Sequence, residues 1–107
     1  MLAKTVAPLD VQAQVTLERW RVRETAGGDR YFVGFCIETQ TGRVSTAIRS
    51  FDIGTGVGTT ASGRRYLLSG WPCFDAEAER LWARLAAQHA TTETNDVSME
   101  YLPARID

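Results

Sequence analysis

Histidine occurs once in this 107-residue chain, at position 89, and cysteine only twice, at 36 and 73. A structural or catalytic zinc needs several such ligands at set spacing, so no metal site is expected. A Ser-His-Asp or Cys-His pair would have to use His89, which falls at the end of an expected helix, where histidine commonly serves the last carbonyls. Cys73 and His89 flank that helix and are too far apart to meet across it. Two lone thiols fit a reducing compartment better than a disulfide framework. No Gly-Lys-Ser/Thr is present, and glycines at 54, 56 and 58 have the wrong spacing for a dinucleotide loop. Apolar runs stay well short of the roughly 18 residues a membrane helix needs, and no signal-peptide pattern is seen. A cytoplasmic protein without membrane contact is therefore expected. Glu38, Asp52 and Asp75 could serve as acid and base, but nothing in the sequence brings two of them together. Cofactor, metal and nucleophile chemistry all lack a foothold, and the expected protein is not an enzyme.

Charge of one sign is also lacking. The net charge is −1, which implies neither a strong nucleic-acid footprint nor a nucleic-acid mimic. The halves differ: residues 1–74 carry 9 basic and 6 acidic groups, residues 75–107 carry 3 and 7. Lysine is nearly absent, and eleven of the 12 basic residues are arginine. A GC-rich coding sequence produces that bias. A planar fork suited to carboxylate or phosphate is its functional counterpart.

What is present is extended structure followed by one helix. Residues 1–8 lack pattern and are expected to be a loose end. From Leu9 the apolar residues alternate through Val11, Ala13, Val15 and Leu17, and then the phase slips to Trp20 and Val22. One extra residue near Glu18-Arg19 would produce the slip, so a β-bulge or a break is expected there. Arg19, Arg21 and Arg23 alternate opposite Trp20 and Val22 and are expected to face water or a partner. Ala26-Gly27-Gly28-Asp29 signals a turn. The next strand, Arg30 to Thr39, carries Tyr31, Val33, Phe35 and Ile37 on one face. Gln40-Thr41-Gly42 reads as a second turn and Arg43 to Asp52 as a third strand. Residues 53–61 are rich in glycine and threonine and read as a loop with a short edge strand at Val57–Thr60.

Ser62 to Pro72 is the stretch on which the rest depends. Gly63 suits a turn needing positive φ. Tyr66 and Leu68 alternate with Leu67 and Ser69, and Gly70 and Pro72 end the strand. Trp71 and Phe74 fall where sheet meets helix, either as a hydrophobic corner or as the floor of a partner pocket. Asp75 is the expected N-cap, with Glu77 and Glu79 at the positive end of a helix over 75–89. Its apolar face is Ala78, Leu81, Trp82, Leu85 and Ala86. Val97, Met99 and Tyr101 alternate and predict a last strand within 96–102. Together these elements make a single α+β domain over 1–107: an antiparallel meander of about five strands over 9–70 with one long helix packed on one face.

The arginines are the candidate contacts. Arg19, Arg21 and Arg23 form one stripe and Arg64 and Arg65 flank a turn, with Tyr31 and Trp71 as neighbouring aromatics. Such a set suits an acidic protein face, or a phosphate backbone with stacked bases. Solvated charge on an open sheet is the plain alternative. A homodimer through a free edge or through Leu9–Leu17 fits as well.

The pattern Ser62-Gly63-Arg64-x-Tyr66-x-Leu68-x-Gly70-x-Pro72, with Trp82 ten residues on, resembles short uncharacterised proteins of proteobacterial plasmids, prophages and integrative elements. Residues 43–48 and Phe51-Asp52 share the likeness, which spans residues 17–85. The resemblance supplies no active site. It implies a small accessory protein that binds and blocks a host defence complex, as anti-CRISPR proteins do. The reading is thus a non-enzymatic protein that occludes a macromolecular partner, without cofactor. The alternative is a nucleic-acid-binding module using the arginine stripe.

Overall fold

The slip of phase at Glu18-Arg19 is a β-bulge. In the computed structural model, which describes residues 13–89 and 94–103, strand β1 runs unbroken through Gln14–Thr25. Its register against the next strand shifts between Glu18 and Arg21, and Arg19 takes a positive φ of 45°. The extra residue lets Val15 and Leu17 share one interior with Trp20 and Val22, all at most 1% exposed. Residues 1–8 and the first part of Leu9–Leu17 lie outside the described residues.

The remaining strands are β2 (Arg30–Cys36), β3 (Thr41–Val44), β4 (Ile48–Asp52), β5 (Val57–Thr60), β6 (Arg65–Leu68) and β7 (Thr94–Asp96). One helix, α1, spans Ala76–Gln88, and Ser98–Tyr101 form a 3-10 turn. The fold is α+β with a mostly antiparallel sheet, but it is not a simple meander. The strand order is β3-β2-β1-β6-β5-β4, with β7 also paired to β1. Strand β6 lies parallel to β1, Val15 opposite Tyr66 and Leu17 opposite Leu68. The Tyr66 strand therefore sits inside the sheet. β5 is likewise no edge, since it pairs β4 on one side and β6 on the other.

Two further expectations are corrected. The run Arg43 to Asp52 is not one strand, because Ser45 stops it. Its hydroxyl accepts from Phe32 N and donates to Thr46 O, while Ser45 N donates to Phe32 O. Residues 45–47 then link the two ends of the six-strand path. Three residues bridge at most about 14 Å between flanking Cα atoms, whereas five flat strand spacings need about 24 Å. The sheet must roll up, and it does so around Phe32, whose ring meets Phe51 at 6.2 Å and Tyr66 at 5.5 Å. The second correction concerns 96–102. Strand β7 ends at Asp96, because Ser98 N and Oγ both donate to the Asp96 carboxylate and tighten the chain into the 3-10 turn. That turn brings Tyr101 edge-on to Phe32 and 4.7 Å from Phe51.

Strand β2 is covered on both faces. Phe32 and Cys36 join the rolled interior, while Val33 and Tyr31 meet Ala78, Trp82 and Ala86 of α1 outside it. Leu81 and Leu85 stay outside that contact. Gly42 is not in a turn but in β3, under the helix: a Cβ there would lie 2.5 Å from Ala78 N.

Candidate functional site

Strand β6 ends at Leu68, and seven residues carry the chain to the helix. Gly70, at φ 73°, turns it. Two bonds to one residue fix this segment: the Trp20 indole Nε1 donates to Gly70 O at 3.2 Å, and Cys73 N donates to Trp20 O at 3.1 Å. Trp20 is buried and cannot shift freely, so the segment is pinned on both sides of Trp71-Pro72. The pinning leaves Trp71 57% and Phe74 55% exposed. Large apolar side chains on a fixed backbone are the composition of interface anchors.

The arginine stripe borders this pair but is not free. Arg19 Nη2 lies 3.2 Å from Asp75 Oδ1, and its guanidinium sits 4.4 Å from the Phe35 ring. The other oxygen of Asp75 accepts from Ala78 N at 3.1 Å, so one carboxylate caps α1 and holds the bulge. Arg21 donates to Cys73 O and pairs with Asp96 at 2.9 Å, its guanidinium 6.0 Å from the Phe74 ring. Arg23 pairs with Glu79 at 2.9 Å. The stripe is a clasp that ties β1 to the helix start, to the Trp71 segment and to β7. Arg19, with a side chain 43% exposed, is the member most open to a partner. Alternation placed these residues on the face opposite Trp20 and Val22; it could not foresee that a helix lies over that face.

Burial works to raise the Asp96 carboxyl, yet the hydrogen bonds from Ser98 and the charges of Arg21 and Arg23 outweigh it. The group is held below the usual carboxylate range. Glu38 behaves alike: burial pushes it up, and hydrogen bonds led by Thr16 N bring it down further. At the far edge Arg30 bonds Tyr101, Glu24 and Glu100, which together raise its affinity for its proton.

The other expected contacts scatter. Arg64 is only 8% exposed and offers no outward surface. Arg65 is exposed beside Gln14. Tyr31 packs at a tilt against Trp82 with centroids 5.3 Å apart, under the helix. Phe74, read from sequence with Trp71 as a hydrophobic corner or a pocket floor, belongs to the exposed surface with Trp71. The fixing residue, Trp20, had no signal beyond its apolar parity. Cys73 and His89 stand at opposite ends of α1, and both cysteines are free. Among the described residues no three histidine, cysteine or acidic side chains gather as a metal would require, and no helix is long and apolar enough to cross a membrane.

No protein-family model, no curated protein and no solved structure matches this chain.

Proposed function

We propose that this chain is a non-enzymatic binding protein that docks on a protein partner through the surface of Trp71, Phe74 and Arg19. The observation that carries the reading is the pair of half-exposed aromatics on a segment pinned by Trp20. Covering the open parts of both rings would remove on the order of 250 Å² from water, a gross gain of roughly 6 kcal/mol before the cost of association. A fixed backbone lowers that cost, because little ordering remains to be done on binding. The mechanism is steric occlusion of the partner.

The nucleic-acid alternative draws less support. Arg19, Arg21 and Arg23 each already face a carboxylate, which cancels the field a phosphate backbone would meet. The likeness of Ser62–Pro72 to proteins of mobile elements favours a host defence complex as partner, with an anti-CRISPR inhibitor as its concrete form and the cytoplasm as its setting. A homodimer is compatible, since β3 and β4 terminate the hydrogen-bonded path.

Affinity purification from the native host, with the Trp71→Ala/Phe74→Ala double variant alongside, tests the reading. The double variant is expected to lose the proteins that the wild type retains. Equal recovery by both would remove this surface as the contact. Oligonucleotide binding that weakens steeply with salt would favour the nucleic-acid module instead.

A further inference from the structure

Helix α1 packs over β2 and β3. At its first turns Gly42, lacking a Cβ, lets the helix backbone come down onto β3. Further along, Trp82 and Ala86 pack with Tyr31 and Val44 of the strands below. A wedge of about 320 Å³ opens between the later turns of the helix and the sheet. That size falls at the lower end of small-molecule pockets. Tyr31, Val44, Trp82, Leu85 and Ala86 make its lining largely apolar, and His89 lies at the helix end; among the described residues no lysine, arginine, aspartate or glutamate takes part.

The wedge has a definite electrostatic preference. It sits at the C-terminal end of α1, where the last carbonyls carry partial negative charge. No basic residue in the last turn offsets them. Tyrosine and tryptophan rings attract cations through their faces. The Tyr31 hydroxyl and the His89 imidazole each carry an atom able to accept from an ammonium N–H.

We propose that this wedge binds a small organic ammonium with a compact apolar body. The body lies against Val44, Leu85 and Ala86, and the ammonium lies by the aromatic pair and the helix end. A single ring with a short amine arm fits the volume. The site is separate from the Trp71–Phe74 surface, which lies beyond the opposite end of α1.

The test is a titration of the 15N-labelled full chain, read at the indole N–H resonances of its three tryptophans. The probes are 2-phenylethylammonium and 3-phenylpropionate, which share a body and differ in charge. A saturable shift of the Trp82 resonance by the ammonium is expected, with Trp20 and Trp71 unmoved. The carboxylate should bind at least about tenfold more weakly. Ala86→Leu, which fills the wedge, should abolish the response while the spectrum stays dispersed. Should that variant fail to fold, Leu85→Lys at a half-buried position places a cation in the site; it should weaken the ammonium and tighten the carboxylate. No saturable Trp82 shift at millimolar ammonium, an equal response to both charges, or a response confined to Trp71 would overturn the proposal.

Discussion

Gly58 shows how little room a single position leaves. A Cβ built there would come 2.5 Å from Phe32 Cζ, at the centre of the rolled interior. Gly58→Ala must displace a ring packed against Phe51, Tyr66 and Tyr101. We expect a loss of about 1–3 kcal/mol by urea unfolding, with no change in slope. Gly54→Ala, in the exposed turn, should cost far less. From sequence the three glycines at 54, 56 and 58 formed one group, because composition alone cannot separate them. Two lie in the turn, and the third is a strand residue kept small by a ring that comes from 26 positions upstream. Arg19 was more legible: the parity change between Leu17 and Trp20 demands an extra residue, whatever packs on the strand.

At the scale of elements, α1 is tied down by charge as much as by apolar contact. Only Ala78 and Trp82 of the helix are buried. Glu79, with a side chain 13% exposed, faces Arg23, whose Nε is buried without a partner among the described residues. Glu79→Ala leaves that guanidinium without its carboxylate and should cost about 1–3 kcal/mol. The double variant Arg23→Met/Glu79→Leu should recover much of this, since a half-buried pair can give way to apolar packing at small net cost. Chemical denaturation of wild type, single and double variants checks both statements. The helix itself was readable because its cap, first-turn acids and apolar spacing are local. The break between β3 and β4 was not, because Ser45 is held there by Phe32, a partner 13 residues away.

The whole molecule is sensitive to acid for a stated reason. Asp96 and Glu38 both hold their protons less tightly than free carboxylates. A depressed folded value means that their contribution is complete above the unfolded value, about 4, and is lost as pH falls through the folded one. The melting temperature should therefore drop progressively below about pH 4. Asp96→Asn should be less stable at neutral pH and show a shallower drop, because one titrating group has been removed. A variant curve parallel to the wild type would mean that Asp96 contributes nothing to the acid limb. Losing the Asp96 charge also removes one of the ties on Arg21, so β7 and the Trp71 segment should loosen together, visible as faster amide exchange at Cys73 and Val97.

The sequence by itself determined local features: most of the extended runs, an irregularity near Glu18-Arg19, the turn at Gly28, the capped helix and the α+β class. Each depends on residues within a few positions of one another, where spacing and backbone preference suffice. Only the tertiary structure decided which strands are neighbours, that β1 and β6 run parallel, and that the sheet rolls up through a three-residue link. It also decided that the arginines clasp a helix and that two aromatics remain outside. Those outcomes depend on contacts between distant segments, and what a side chain meets across that distance is set by the rolled shape of the sheet and not by its own neighbours in the chain.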